Sequence, residues 1–375
     1  RGRSREGALG PQCQAQCHSF AAIGSGGHGV HRFGVIASMV ARQSRDNQLL
    51  AAPDPGSPAL CACARDDEEA GAPLASLSQW ETNMVQHGNQ HCNENTINTQ
   101  GIWEGGVWYY DGERVYYQIA NYTGNTSWNA CAGFVEAMYR DSYVLPNNGA
   151  VPGYRIFSHG LYQDYVRTGD ASSKNAAILL SKNAASTPGK TPLAWIILHD
   201  SSREIAYNIE ASLIAEQLGE PHNPYLDTYI EIALGHIDQW VISQDASYVR
   251  PFMVGLTAEA LIQYYETRSQ DPRIPPVIKT AMDWLWDNTW VPSAQSFQYT
   301  DRPTDTGGTE SAPDLNLLIA PAYAWVYRQT GNATYIDRGD QIFAGGVQGS
   351  WLDGGKQYSQ SYRWSFDYLK WRNST

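Results

Sequence analysis

Basic charge is scarce in this chain: 26 Lys and Arg stand against 38 Asp and Glu, leaving a formal charge of −12. Nucleic-acid backbones are bound by a basic surplus that releases counterions, so no nucleic-acid partner is expected. The same balance argues mildly against a polyanionic substrate, although a local basic cluster can sit inside an acidic protein. Cysteine is sparse too, six in 375 residues, too few for a disulfide scaffold of this length. Cys13 and Cys17 form a CxxxC, and Cys61 and Cys63 a CxC, with no second ligand pair nearby, which is poor zinc spacing. Cys92 and Cys131 remain, open to a disulfide or to two buried thiols. No apolar run is long enough for a membrane span. No GxxxxGK[ST] or GxGxxG loop follows a strand, so phosphate chemistry is not expected. No metal or cofactor is expected: His87 and His91 share a helix face but lack the acidic partner of an HExxH site, and read as a surface pair.

Phenylalanine is the last scarcity, and it points the other way. Only 8 Phe accompany 13 Trp and 23 Tyr. Trp and Tyr pair a flat apolar face with a polar edge, which suits stacking on the C–H face of a sugar ring. The plain alternative is that these rings are ordinary core and helix-interface residues.

Residues 1–75 are rich in Gly, Ser, Gln and Arg without sustained period, and read as an unstructured leader or linker. Within them, Leu60-Cys61-Ala62-Cys63 and the following acidic run resemble the end of a bacterial lipoprotein signal with its tether. That resemblance implies a cell-envelope location, periplasmic or lipid-anchored, beside the simpler reading of a secreted protein. The folded domain is expected over 76–375, as a monomer.

From Ser76 onward amphipathic segments alternate with short Gly, Asn, Asp and Pro punctuation. Between Pro224 and Val241 the apolar residues follow the i, i+3, i+4, i+7 rhythm of one helix face, with Asn223 placed as N-cap. Three turns repeat: YTGN at 122–125, RTGD at 167–170 and QTGN at 329–332, with QLGE at 217–220 as a variant. Gly at a helix C′ position takes the left-handed conformation cheaply, and the next Asp or Asn opens a new helix. The turns mark hairpins of roughly fifty residues, a two-helix repeat. First helices are expected near 112–121, 156–167, 202–218, 251–268, 313–329 and 356–372. Their partners fall near 127–143, 172–185, 223–241, 273–288 and 333–346, and 79–91 is left to pair with the last. The fold class is therefore all-α, an (α/α)6 toroid of six helical hairpins. YTGNTSW at 122–128, RTGDASS at 167–173 and QTGNATY at 329–335, with the Trp-rich helices, resemble the six-hairpin glycosidase superfamily over about 300 residues. The resemblance implies a carbohydrate substrate and spans hydrolases, lyases and epimerases alike.

In such a toroid the first helices all run one way, so their N-terminal ends ring one mouth, where free N–H groups favour carboxylates and substrate oxygens. Acids, bases and aromatics gather at those ends: Trp103, Glu104 and Trp108; Tyr154, Arg155 and His159; His199, Asp200, Arg203, Glu204 and Tyr207; Tyr248 and Arg250; Asp305, Glu310 and Asp314; Lys356 and Gln360. Each has a plainer reading. Asp200 or Ser201 can cap its helix with Glu204 closing a capping box, Arg203 can pair with its neighbours, and the histidines can be hydrogen-bonded scaffold.

Three functions follow. Glycoside hydrolysis needs one carboxylic acid and one opposed carboxylate, which would be Glu204 or Asp200 against Asp305, Glu310 or Asp314, with Glu104 a further candidate. Trp103, Trp108 and Tyr248 would then be stacking platforms, and Arg203 and Arg250 clamps. A polysaccharide lyase would use Arg203 and Arg250 to neutralise a uronate. Its base would be His199, His159 or Tyr207, and its acid Tyr358 or Tyr362. A non-catalytic glycan-binding toroid would keep the aromatic platforms alone.

Overall fold

The repeated turn is built alike three times. Thr123, Thr168 and Thr330 each donate their hydroxyl to the carbonyl four residues back, at 2.8, 2.9 and 2.7 Å. The same hydroxyl oxygen accepts the N–H of the Asn or Asp two residues on, at 3.2, 3.0 and 3.3 Å. Between them Gly124, Gly169 and Gly331 take φ of 67°, 78° and 66°, where a side chain would be strained. Asn125, Asp170 and Asn332 then accept the N–H of Ser127, Ser172 and Thr334, opening the next helix. One hydroxyl thus ends a helix and one short polar side chain starts another.

The computed structural model describes residues 74–187 and 190–374. The expected leader or linker at 1–75, with its four cysteines, lies outside the described residues except for its last two positions. The chain is mostly helical. Helices α1 (Leu77–His91) and α2 (Glu94–Gln100) come first. Five hairpins follow: α3 (Gly112–Thr123) with α4 (Trp128–Glu136), α5 (His159–Thr168) with α6 (Ala171–Asn183), and, after the short α7 (Leu193–Ile196), α8 (Ser202–Gln217) with α9 (Leu226–Ile237). Then come α10 (Pro251–Thr267) with α11 (Ile274–Thr289) and α12 (Ala320–Thr330) with α13 (Ala333–Gly349). The chain ends in α14 (Gly355–Tyr362) and α15 (Ser365–Arg372). Trp290–Val291 and Ser296–Phe297 form a small antiparallel ribbon with Trp290 opposite Phe297.

The first helix of each pair also packs on the first helix of the next, and α15 packs on α12. Helices α8 and α10 are buried along most of their length, the behaviour of helices enclosed by others. The two ends of the described chain are zipped together. Tyr358 and Tyr362 of α14 donate to the carbonyls of Met84 and Trp80 at 3.0 and 2.8 Å, and the Trp80 indole donates to Ser365 at 3.2 Å. A Cys92–Cys131 disulfide ties the end of α1 to α4. Among the described residues no helix is long and apolar enough to cross a membrane.

Several boundaries differ from the sequence expectation, each for a side-chain reason. The stretch expected as one helix from 313 opens as a 3-10 turn, Pro313–Leu318. Asn316 there donates to the carbonyls of Gln295 and Ile342 and accepts the Phe297 N–H, a side chain competing with the helical ladder. The helix expected from 156 begins at His159, where Asp111 accepts the N–H groups of His159 and Gly160. Asn223 closes a turn onto Tyr225 rather than capping α9. The last helix breaks between Tyr362 and Ser365, where Arg363 enters a buried ion-pair network.

Candidate active site at the helix starts

The six segments that open α3, α5, α8, α10, α12 and α14 touch one another in sequence order, and the last returns to the first. Arg155 donates to Glu104 at 2.6 Å. Arg203 lies over the Tyr154 ring at 5.2 Å. Tyr248 donates to Asp200, and Arg250 to Thr306. Gln360 donates to the Asp314 carbonyl at 2.8 Å, with the Asp314 carboxylate at 3.5 Å. Lys356 closes the circuit through its N–H to the Gly105 carbonyl at 3.0 Å.

The loop before α3 is bent to serve this circuit. Tyr110 and Asp111 both carry left-handed φ, 64° and 65°, without being glycine. Such residues cost of order 1 kcal/mol each and persist where the surroundings over-determine them. Here Asp111 accepts from Arg114, His159 and Gly160, so one carboxylate caps both α3 and α5. Gly112 allows the bend, since a Cβ there would meet the Val107 carbonyl oxygen at 2.0 Å.

Glu104, Asp314 and Lys356 form the electrostatic centre. Arg155 holds the Glu104 carboxyl below its usual range, Lys356 helping from farther away. Burial pushes the Asp314 carboxyl up, against the Gln360 hydrogen bond and Lys356. Lys356 is coupled to both carboxyls; burial lowers it while Glu104 raises it, and its ammonium lies over the Tyr109 ring at 4.8 Å. Arg203 is 3.3 Å from Glu204, whose other carboxylate oxygen is buried without a hydrogen-bond partner, as is the Arg203 Nε.

The second focus is His199, Asp200, Tyr248 and Arg250. His199 meets Tyr248 edge-on at 5.1 Å and lies 3.3 Å from the Ser247 hydroxyl; burial lowers its pKa. Burial, then the Asp200 hydrogen bond, pushes the Tyr248 hydroxyl up to about 12. Arg250 stacks over Tyr248 at 4.7 Å and Tyr299 at 5.6 Å.

Other sequence candidates stand elsewhere. Asp305 and Glu310 are exposed on the loop after Tyr299, and Glu310 accepts only weakly from Gly308 at 3.4 Å. Trp108 is 2% exposed, stacked on Tyr139 with Arg155 over it, and has no free face. Trp103 is 61% exposed and does have one. Tyr207 is fully buried beneath the Arg363 guanidinium, 4.9 Å away. His159 lies 3.0 Å from Gln263 and 3.7 Å from Glu210, and burial together with Arg114 and Arg363 holds it neutral. Tyr358 and Tyr362 are committed to backbone carbonyls of α1. Ser201 makes no side-chain cap, so no capping box forms with Glu204.

Sequence reasoning passed over the floor of the site. Arg114 and Arg363 reach Glu259 at 2.8 and 3.0 Å, and Arg363 also reaches Glu210 at 2.8 Å, all four side chains being buried. The available signal was a Glu flanked by apolar residues in the middle of each of two helices, Ile209-Glu210-Ala211 and Ala258-Glu259-Ala260, since buried charges are rare unless paired. A second acidic group, Glu136, Asp164 and Asp170, converges within 4.8 Å. Arg140 already supplies its cation, 2.7 Å from Asp170 and in contact with Glu136.

Compared with known proteins, the chain matches no family model, no curated protein and no solved structure.

Proposed function

We propose that this chain is a glycoside hydrolase, secreted or held at the cell envelope, whose helices close into an (α/α)6 toroid with the active site at the ring of helix starts. Support for closure comes from the six-segment circuit, which returns from Lys356 to Gly105, and from α1, which pairs with α14 to make the sixth hairpin. Support for an oxidising compartment comes from the Cys92–Cys131 disulfide.

One observation carries the chemistry: two carboxyl groups beside Lys356 are pushed in opposite directions, Glu104 down by Arg155 and Asp314 up by burial. Pairs of titratable groups whose environments separate their pKa values are the mark of an acid and a base at work together. Asp314, whose carboxyl burial pushes up, would give its proton to the glycosidic oxygen. Glu104, kept ionised, would activate water or attack the sugar carbon on the opposite face. Arg203 and Glu204 would hold hydroxyl groups between them, and Trp103 would stack on a ring at the rim.

The competing reading is a polysaccharide lyase. It is favoured by the convergence of Arg155, Arg203 and Lys356, three cations able to neutralise a uronate carboxylate. Its base is the difficulty beside those cations: Tyr207 is enclosed, His159 is turned to Gln263, and His199 stands at the second focus, against Tyr248 and Ser247. Incubation with neutral and uronate polysaccharides, followed by reducing ends and by ultraviolet absorbance of unsaturated sugars, separates the two. Reducing ends without absorbance are expected; absorbance rising in step with reducing ends would establish elimination instead.

A further inference from the structure

Two adjoining hollows flank the helix-start circuit at the Gly105 loop. One, of about 580 Å³, is set between α1 and the 347–357 segment. The other, of about 380 Å³, is set between α2, the Trp103–Val107 loop and the start of α14. They share Asp353, Gly354 and Gln357, and so form one groove. Each falls within the ~300–1,000 Å³ range of small-molecule sites.

The groove's polar lining is mostly side-chain amide: Gln79, Asn83, Gln348 and Gln357 in the larger part, Gln90 and Gln100 in the smaller. Among the described residues the titratable lining groups are two histidines and Asp353, and no Lys or Arg contributes. Amides carry donors and acceptors together without net charge, which matches hydroxyl groups and offers nothing to an anion. An indole lines each part: Trp351, 69% exposed, and Trp103, 61% exposed, among the most exposed large apolar side chains described. Trp103 is held there by its neighbour. A Cβ on Gly105 would meet the indole at 2.2 Å, so the ring lies against bare backbone and keeps its other face open.

We infer that this groove is an accessory binding site for a neutral oligosaccharide, with Trp351 and Trp103 as stacking platforms and the amides as hydroxyl partners, leading to the mouth through Glu104. The assignment rests on the carbohydrate reading of that mouth and narrows its substrate to uncharged sugars along this stretch. The side chains do no bond-making there; they add binding energy remote from the reacting centre.

The test uses the full chain and binding alone. Intrinsic fluorescence is titrated with hexasaccharides of glucose, mannose and xylose, with oligogalacturonate as the charged control. At least one neutral hexasaccharide binds, oligogalacturonate does not compete, and Trp351→Ala weakens binding about tenfold, one stacking contact's worth. Trp195→Ala, with an indole 65% exposed outside the groove, binds as wild type. Binding unchanged in Trp351→Ala, an equal loss in Trp195→Ala, or no neutral ligand at all would overturn the assignment. Turnover without groove binding removes this site and leaves the hydrolase reading. Groove binding without turnover does the reverse.

Discussion

Arg363 donates one terminal nitrogen to both oxygens of Glu210, at 2.8 and 2.9 Å, although the two are 153 positions apart in the chain. The same guanidinium reaches Glu259 through Nε at 3.0 Å. Three helical elements are thus pinned at one buried cation, directly beneath the helix starts. Arg114 and Arg363 face Glu259 and Glu210 there, so each buried guanidinium has an acidic partner, the condition for keeping ions in the interior.

Removing Arg363 leaves both carboxylates facing each other without their shared partner. Arg363→Met is expected to lower unfolding free energy by about 3–5 kcal/mol, the usual cost of breaking a buried pair from one side. Urea denaturation measures it. Adding Glu210→Gln to Arg363→Met should recover part of the loss; a loss below about 1 kcal/mol for Arg363→Met alone would mean the network is peripheral to stability.

Glu210 also sets a pH dependence. Burial, opposed by Arg363, pushes its carboxyl up to about 7, against ~4.3 for an unfolded Glu. The folded state therefore binds this proton more tightly than the unfolded state. The resulting stability is full below the unfolded value and is lost as pH rises through about 7. Measured as wild type minus Glu210→Gln, the denaturation midpoint should fall between pH ~5 and ~8. A difference that rises over that interval would show the carboxyl to be held ionised.

How much of this was legible beforehand depended on whether the cause was local. The hairpins were, because Thr-Gly-Asn closes and opens helices through partners no more than four positions away. The site was partly so: Glu104, Arg203, Asp314 and Lys356 stand on segments that open the first helices, which the turn pattern marks. What decides their protonation was not. Arg155 against Glu104, and Gln360 against Asp314, are contacts between segments about fifty residues apart. Nor could spacing show that Trp108 faces inward while Trp103 faces out, or that Asp111 caps two helices from a left-handed backbone. Buried Glu210 and Glu259 were hidden by an apolar periodicity into which they fit as core positions.

The disulfide between Cys92 and Cys131 spans 39 residues. Closing a loop of that size restricts the unfolded chain enough to contribute about 4 kcal/mol. The Cys92→Ser, Cys131→Ser double variant should lose about that much in denaturant titration. A thiol count of zero for these two residues in denatured, unreduced protein is the accompanying check; two free thiols would contradict the pairing.

Two glycines separate steric from conformational need. At Gly112 a new Cβ would meet the Val107 carbonyl oxygen at 2.0 Å, whereas at Gly124 nothing lies within 4 Å and only the φ of +67° is at issue. Gly112→Ala is expected to cost about 1–3 kcal/mol and to displace the loop that carries Glu104. Gly124→Ala should cost about 1 kcal/mol and leave kcat unchanged. Equal effects on kcat from both would break the link between this bend and the site.

The opposed carboxyls at Lys356 are the centre of the account, and a pH–rate profile of wild type beside Asp314→Asn and Glu104→Gln tests them most directly. An acid at Asp314 raised by burial and a base at Glu104 lowered by Arg155 predict a bell: activity falls as pH rises through the raised Asp314 value, and falls again as pH drops through the lowered Glu104 value. Asp314→Asn should lose about 10²–10⁴ in kcat, and with it the alkaline limb; Glu104→Gln should lose the acid limb. Variants that keep wild-type kcat and both limbs would contradict the assignment and move the chemistry to the His199–Asp200–Tyr248 focus.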